Sequence, residues 1–309
     1  MKFVIVGAGG VGGYFGGKLA QGGEDVWFVA RGAHLAAMQQ RGLTVNASDE
    51  KFNVPPGKMT DDFNPIGEAD VVLFCVKSYD TESTAAMLAP VLTNDSIVIS
   101  LQNGVDNEET IRRLIPRGTV YGGAAYIYAT ITAPGVITQP GGPRKIVFGP
   151  MHPDNERGKP ILDVMVKAGI RTELTSDIQA ALWTKFIFIS AVGGITAMTR
   201  LTLGDILAVD ETRQMLKDAM RETESVARAL KMNVSDNIID RMFENLKSMD
   251  TNTYSSMYYD LVNEKPLEIE AFAGTLSRYG QRLGVPTPTH RTIYATLLPY
   301  HLKHLSKRQ

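Results

Sequence analysis

A glycine-rich motif lies at the start of the chain, directly after a short apolar run. Residues 3–6 (Phe-Val-Ile-Val) have the composition of a buried parallel strand, and three glycines follow in the spacing G-x-G-x-x-G. In such a motif the first glycine permits a tight turn, the second lets the backbone approach a pyrophosphate, and the third allows close helix packing. The run 14–21 can form that helix, whose N-terminus would receive the phosphates. The motif predicts a dinucleotide-binding loop, with an ordinary glycine-rich turn as the alternative. The predicted loop consists of Gly7, Ala8, Gly9, Gly10, Val11 and Gly12.

The residue after the second apolar run bears on which dinucleotide would bind. The run 26–30 (Val-Trp-Phe-Val-Ala) is followed by Arg31, where a carboxylate would hydrogen-bond the ribose 2′-hydroxyl of NAD. A guanidinium instead offers forked donors to a 2′-phosphate and can stack on adenine. The sequence therefore favours NADP(H) over NAD, with a merely solvated arginine as the alternative.

Length, composition and charge indicate a two-domain cytoplasmic enzyme. The chain has 309 residues, more than one ordinary core serves, and 44% of them are hydrophobic. The formal net charge of −1 and the lack of a long basic run argue against a nucleic-acid partner. The uncharged, largely apolar stretch 186–199 is too short to span a bilayer, so no membrane partner is expected. No signal-peptide pattern is recognisable at the start of the sequence.

Cysteine and histidine usage predicts no metal site. Cys75 is the only cysteine, and the apolar run around it favours packing in a strand over a catalytic thiol. The five histidines show no spacing typical of metal ligands.

The pattern of apolar residues predicts an α/β half followed by a helical half. Strand-like runs at 71–76 and 96–101 alternate with helical patterns at 81–92 and 108–114, as in a parallel sheet. Further strands, expected to be antiparallel and to extend the same sheet, are predicted at 120–132, 136–139 and 145–148, followed by a last α/β unit at 161–174. Helices are then predicted at 176–198, 210–231, 236–249, 255–263, 267–283 and 287–300.

The fold class that follows is α/β, with an N-terminal Rossmann-type dinucleotide-binding domain and a C-terminal all-helical domain. The expected boundaries are 1–175 for the NADP-binding domain and 176–309 for the helical substrate and catalytic domain. The apolar faces of the helical half could pair two chains, so a homodimer is one expectation that the sequence does not fix.

Polar residues after the central strands are candidates for the reaction centre. Lys77 follows the run 71–76 and Asn103 follows the run 96–101. Open α/β sheets bind ligands at the carboxyl ends of their strands, where both residues would lie. Each has a plain alternative, a surface lysine for Lys77 and an Asn-Gly turn for Asn103.

Lys185 stands in an otherwise apolar helical stretch, which favours a position facing a polar cavity. Burial would lower its pKa toward the working range of a general acid, and snorkelling at a helix edge is the alternative. Glu268 and Glu270 flank Ile269 near a helix start and would point about 200° apart, so at most one can face that cavity. Both could equally be first-turn charges that the helix dipole favours.

Taken together, these motifs resemble the ketopantoate reductase (2-dehydropantoate 2-reductase) family from end to end. The matching segments are 7–13 (GAGGVGG), 31–35 (RGAHL) with Gly42-Leu43, Val76-Lys77, 101–105 (LQNGV), Trp183-x-Lys185, Ser255-Ser256-Met257-x-x-Asp260, 268–270 (EIE) with Gly274, and 284–288 (GVPTP). The resemblance implies NADPH-dependent reduction of 2-dehydropantoate to pantoate, as in pantothenate biosynthesis, by hydride transfer to the 2-oxo carbon. It implies Lys185 as the general acid and Glu268 near the substrate hydroxyl. It also implies that Ser256 and Asn103 bind the substrate, and that Lys77 and Asn103 lie at the cofactor and reaction centre.

Three positions depart from the family pattern. Members place asparagines one and two helical turns beyond the lysine and another past the helix end, whereas Ile189, Gly193 and Leu203 stand here. Each missing amide removes a partner worth roughly 1–3 kcal/mol to a desolvated polar group. Compensating hydroxyls could come from Ser190, Thr196 or Ser256.

Two other functions are also compatible with the sequence. The first is a paralogous NADPH-dependent reductase of another, less polar 2-oxo acid. The second is a non-catalytic NADP-binding protein, which the presence of both Lys185 and Glu268 argues against.

Overall fold

The computed structural model describes residues 1–152, 156–247 and 250–307. The chain forms two compact units. The first comprises Met1–Asn103 and Asn107–Ile178, and the second comprises Gly104–Asp106 and Gln179–Gln309.

Two sheets build the first unit. The strands are β1 (Lys2–Val6), β2 (Asp25–Val29), β3 (Leu43–Ala47), β4 (Lys51–Val54), β5 (Met59–Thr60), β6 (Val71–Phe74), β7 (Ile97–Ser100), β8 (Thr119–Ile127), β9 (Thr130–Ala133), β10 (Val136–Gln139), β11 (Arg144–Pro150) and β12 (Arg171–Leu174). The large sheet has the order β12-β11-β8-β7-β6-β1-β2-β5, and the small sheet has the order β4-β3-β10-β9. From β8 through β5 all neighbouring strands of the large sheet are parallel.

Helices accompany this sheet as the alternating pattern predicts. They are α1 (Gly10–Gln21), α2 (Gly32–Arg41), α3 (Thr81–Ala85), α4 (Asn107–Leu114) and α5 (Lys159–Lys167), with short 3₁₀ turns at Ser78–Asp80, Ala89–Val91 and Glu156–Gly158. Successive residues of β1 point to opposite faces of the sheet, so Phe3 and Ile5 join one buried cluster and Val4 and Val6 join another. Both faces of β1 are therefore covered, which explains why its sequence is apolar throughout.

The predictions for β8, for the β9–β10 hairpin and for the helix over 81–92 are wrong in part. Of the strands expected to be antiparallel and to extend the large sheet, β11 fits, but β8 pairs in parallel with β7. The hairpin of β9 and β10 belongs to the small sheet, where β10 pairs in parallel with β3 and Ile137 packs against Gly13 of α1. The helix expected over 81–92 ends at Ala85, and a 3₁₀ turn that contains Pro90, which lacks a backbone N–H, replaces its second half.

The regular elements among the described residues of the second unit are all helices, which confirms that prediction. Its helices are α6 (Ile178–Thr199), α7 (Leu203–Ala208), α8 (Asp210–Ala229), α9 (Ile238–Leu246), α10 (Ser256–Val262), α11 (Thr275–Leu283) and α12 (Pro288–Ser306), with a π-helical segment at Glu270–Gly274. The sequence prediction missed α7, whose N-terminus is a capping box of Thr202 and Asp205. It also joined the π-helical segment to α11 as one helix and ended α12 too early. The predicted end of α9 at residues 248–249 lies outside the described residues.

Helix α6 passes through the core of the second unit. Phe186, Ile187, Ala191 and Ile195 of this helix are fully buried. Among the described residues, α6 is the one helix long and apolar enough to cross a membrane by length and composition alone. Most of it is buried within the protein, as in the core helix of a helical bundle.

Candidate active site

Of the three glycines of the G-x-G-x-x-G motif between β1 and α1, two are crowded and one is open. Gly7 has a φ of +96°, and a Cβ atom there would lie 2.8 Å from the backbone nitrogen of Val76. A Cβ atom at Gly12 would collide with the carbonyl oxygen of Gly7. At Gly9, in contrast, no atom lies within 4 Å of the Cβ position. The first and third glycines are thus required by the fold itself, whereas the second borders open space.

The open space at Gly9 lies at the N-terminus of α1. Gly9 is the N-cap residue, no side chain caps the helix, and its first turn contains no acidic residue. The first backbone N–H groups of a helix have no partner within the helix, and the helix dipole favours an anion at this end. Together these features form a cradle that can receive a pyrophosphate.

Arg31, predicted to select the cofactor, is the N-cap residue of α2 and lies two residues after the end of β2. Its side chain is 68% exposed and forms an ion pair with Asp80, in the 3₁₀ turn that follows β6. The guanidinium therefore lies at the carboxyl end of the parallel strands, where the 2′-phosphate interpretation requires it.

Lys77 and Asn103 follow adjacent parallel strands, β6 and β7, as predicted. A glutamine that the sequence prediction did not assign a role joins the two strand ends. Nε2 of Gln102 donates to the carbonyl oxygen of Val76 at 2.9 Å and to Oγ1 of Thr81 at 2.8 Å. Val76 directly precedes Lys77, and Gln102 directly precedes Asn103, so the bond from Gln102 to Val76 connects the two segments that carry these candidates. The only sequence signal for this role was its position in the matching segment 101–105.

The other candidates belong to the helical unit. Lys185 is half-buried on α6, between the buried side chains of Trp183 and Phe186. Glu268 is 6% exposed and lies just before the π-helical segment, where its carbonyl oxygen accepts a bond from the amide of Phe272 at 3.1 Å.

Glu270 has a different environment from Glu268. Its carboxylate accepts hydrogen bonds from the hydroxyl of Tyr294 at 2.5 Å and from the guanidinium of Arg278 at 2.8 Å. This network connects the π-helical segment to α11 and α12, so Glu270 has a structural role. Glu268 is the acidic side chain of the pair that remains a candidate for the reaction.

The two serines at the start of α10 also differ. Ser255 is the N-cap residue, because its Oγ accepts a bond from the amide of Tyr258 at 3.1 Å and lies 2.7 Å from Oγ1 of Thr196. Ser256 is exposed, and its side chain forms no hydrogen bond among the described residues. Of the two hydroxyls, that of Ser256 is the one that can bind another molecule.

The three positions that depart from the family pattern all pack against apolar side chains. Ile189 is half-buried against the helical core, and Leu203 is 2% exposed within it. At Gly193 a Cβ atom would lie 3.2 Å from Cε2 of Phe272. The expected polar groups are thus replaced by hydrocarbon surface of the helical unit.

Cys75 lies just after β6 rather than within the strand, but it packs against the core of the first unit. Burial raises the pKa of its thiol, which keeps it protonated at neutral pH. It is therefore unsuited to act as a nucleophile.

Comparison with known proteins gives one consistent result. Residues 3–153 match the family model described as ketopantoate reductase PanE/ApbA, and residues 177–301 match the model of its C-terminal region. The chain is 29% identical to the uncharacterized oxidoreductase YkpB of Bacillus subtilis, over 97% of this chain and 99% of that protein. It is 31% identical to a 2-dehydropantoate 2-reductase of Pyrococcus horikoshii, over 96% of each chain. Among solved structures, a PanE/ApbA family ketopantoate reductase from Ralstonia eutropha is 31% identical and superimposes with a TM-score of 0.91, covering 99% of this chain and 100% of that one.

Proposed function

The chain belongs to the ketopantoate reductase family of oxidoreductases, and from that premise we propose that it reduces 2-dehydropantoate to pantoate with NADPH. The observation that carries the proposal is the glycine loop, which is closed by the fold at Gly7 and Gly12 and open at Gly9. A loop of this shape at an uncapped helix N-terminus fits a dinucleotide pyrophosphate.

The proposed reaction adds a hydride and a proton across the 2-oxo group. A bound nicotinamide dinucleotide supplies the hydride. Lys185 donates the proton to the carbonyl oxygen, and its ammonium charge stabilises the negative charge that develops there. Glu268 accepts a hydrogen bond from the substrate hydroxyl, and the hydroxyl of Ser256 donates to the substrate. Lys77 and Asn103 orient the reacting groups at the carboxyl ends of β6 and β7.

The serine pair gives a test of the substrate role assigned to Ser256. Replacing Ser256 with alanine is expected to raise KM for the 2-oxo acid about tenfold or more, because a hydrogen bond to a charged group is worth about 1.5–3 kcal/mol. Replacing the neighbouring Ser255 is expected instead to lower the free energy of unfolding by about 0.5–2 kcal/mol, because it removes a helix cap. Steady-state kinetics and urea unfolding of both variants measure the two effects. Equal KM values in wild type and Ser256→Ala would remove this serine from the substrate site.

Arg31 supports NADP(H) as the cofactor, since its guanidinium is exposed at the carboxyl end of β2. Replacing Arg31 with alanine is expected to raise KM for NADPH by about 10–100-fold, because charge-assisted bonds to the 2′-phosphate are lost. KM for NADH is expected to stay within about twofold, because that cofactor has no 2′-phosphate. Arg117→Ala, which changes another arginine of the same unit, serves as the control. A parallel rise of both KM values would contradict the assignment.

The apolar environment of Ile189, Gly193 and Leu203 favours a second candidate, an NADPH-dependent reductase of a less polar 2-oxo acid. The test is NADPH oxidation at 340 nm with 2-dehydropantoate, pyruvate, 2-oxoisovalerate and bulkier 2-oxo acids. The highest kcat/KM with 2-dehydropantoate supports the first proposal, and the highest value with a bulkier acid supports the second. Binding of NADPH without turnover of any acid would instead support a non-catalytic NADP-binding protein.

The remaining expectations stay predictions. They are a nucleotide-binding domain at 1–175, a substrate and catalytic domain at 176–309, a cytoplasmic location, no metal, no nucleic-acid or membrane partner, and a homodimer.

A further inference from the structure

A histidine outside the predicted site bonds to the backbone of the glycine loop. His34 lies in the first turn of α2 and is half-buried. Its Nε2 lies 2.9 Å from the carbonyl oxygen of Ala8, in the glycine loop. Its Nδ1 accepts a hydrogen bond from the amide of Gly135 at 3.0 Å, in the turn between β9 and β10. One imidazole thus connects two backbone segments that are far apart in the sequence.

The two partners determine the protonation state of the ring. A backbone amide can only donate, so Nδ1 of His34 carries no proton. A carbonyl oxygen can only accept, so Nε2 carries the proton and donates to Ala8. The ring is therefore neutral, in the Nε2–H form. Its partial burial lowers the pKa of His34, which favours the same state.

The bond to Ala8 also fixes the direction of the next amide. The carbonyl group of Ala8 and the N–H group of Gly9 belong to one peptide plane, and in a trans peptide they point in opposite directions. Since the carbonyl points to His34, the Gly9 N–H points away from it. Gly9 is the residue of the loop that borders open space.

The other end of this connection is anchored in the small sheet. The carbonyl oxygen of Gly135 accepts a bond from the amide of Thr44, in β3, at 2.9 Å. A Cβ atom at Gly135 would lie 3.2 Å from that of Ala37, so the turn is also packed against α2. His34 therefore braces the loop against a turn that is itself held in place.

We propose that His34 is a positioning residue for cofactor binding, which holds the Ala8–Gly9 peptide so that the Gly9 amide faces the pyrophosphate. This inference rests on the proposed function, because it assumes a dinucleotide at the glycine loop. The small sheet then contributes to cofactor binding, because it supports the turn that orients the His34 ring.

Two substitutions separate hydrogen bonding from packing. His34→Leu removes both the donor and the acceptor, whereas His34→Gln carries a donor and an acceptor on one planar group. The dissociation constant for NADPH, measured by calorimetric titration, is expected to rise about 10–100-fold in His34→Leu, because the Ala8 carbonyl loses its donor and the Ala8–Gly9 peptide is no longer held. In His34→Gln it is expected to stay within about threefold of wild type. His152→Leu changes an exposed histidine of the same unit and is the matched control.

A second measurement needs no cofactor. Long-range ¹H–¹⁵N spectra of the wild-type protein at neutral pH are expected to show the neutral Nε2–H form of His34. A charged ring or the Nδ1–H form would overturn the proposal whether or not the variants fold.

The binding results separate the positioning role of His34 from the proposed function. If wild type binds NADPH and His34→Leu binds it equally well, the positioning role is wrong and the proposed function stands. If His34→Gln loses as much affinity as His34→Leu, the ring acts by packing and the proposal is again overturned. If wild type binds neither NADPH nor NADH, the proposed function fails and this inference fails with it.

Discussion

Replacing Lys185 with alanine is expected to lower kcat by about 10²–10⁴-fold, the range that a positioned general acid contributes. The affinity for NADPH is expected to change less than twofold, because the residues proposed to bind the cofactor are unchanged. Lys185 stands on a helix whose neighbouring side chains are buried and apolar, so the backbone that holds it is rigid. Single-turnover measurements of NADPH oxidation with saturating 2-oxo acid report the chemical step directly.

Two variants control this experiment. Lys185→Arg keeps a positive charge but gives up a proton far less readily, so its rate is expected to lie between those of wild type and Lys185→Ala. Lys247→Ala removes a lysine of the same unit that is 72% exposed and paired with Glu244, and it should leave kcat unchanged. A Lys185→Ala variant that retains more than a tenth of the wild-type kcat would show that another group supplies the proton.

The glycine loop yields the second large effect, because two of its glycines differ in what surrounds them. Gly7→Ala is expected to lower the free energy of unfolding by about 2–5 kcal/mol, since a left-handed backbone costs about 1–2 kcal/mol and overpacking about 1–3 kcal/mol. Gly9→Ala is expected to leave that free energy within about 0.5 kcal/mol of wild type, because Gly9 has a φ of −74° and open space at its Cβ position.

Gly9→Ala is expected to change cofactor affinity much more than it changes stability. A methyl group there occupies the space proposed for the pyrophosphate, so NADPH affinity is expected to fall at least tenfold in a protein of normal stability. Urea unfolding and NADPH titration of the same preparations measure both quantities. A Gly9→Ala protein that binds NADPH as wild type does would place the pyrophosphate elsewhere.

The sequence predicts this fold well where a local pattern decides the structure. The G-x-G-x-x-G spacing after an apolar run identifies β1, the turn and α1, because each glycine meets a steric demand within a few residues of itself. The pairing of strands is harder to predict, since β9 and β10 have the same local pattern whichever sheet they join. Their position follows from the pairing of β10 with β3, which is remote in the sequence.

The candidate site could likewise be predicted from local patterns but not from long-range contacts. The residue types of Lys77, Asn103 and Lys185 in their local context were sufficient to select them. The pairing of Arg31 with Asp80 and the bonds of Gln102 to Val76 connect residues that are more than twenty positions apart. Nothing in one sequence marks such pairs, because hydrogen-bond partners are set by the three-dimensional arrangement of the strands. The different roles of Ser255 and Ser256 likewise follow from which hydroxyl faces the helix end.

The Phe272 ring next to Gly193 couples what can stand at these two positions. An asparagine at position 193 would place its Cβ atom 3.2 Å from the Phe272 ring, and further atoms would need the volume that the ring fills. An amide at position 193 therefore requires the Phe272 ring to shift, or a smaller side chain at position 272 to make room for it. Substitutions at the two positions are expected to be non-additive, because they compete for the same volume.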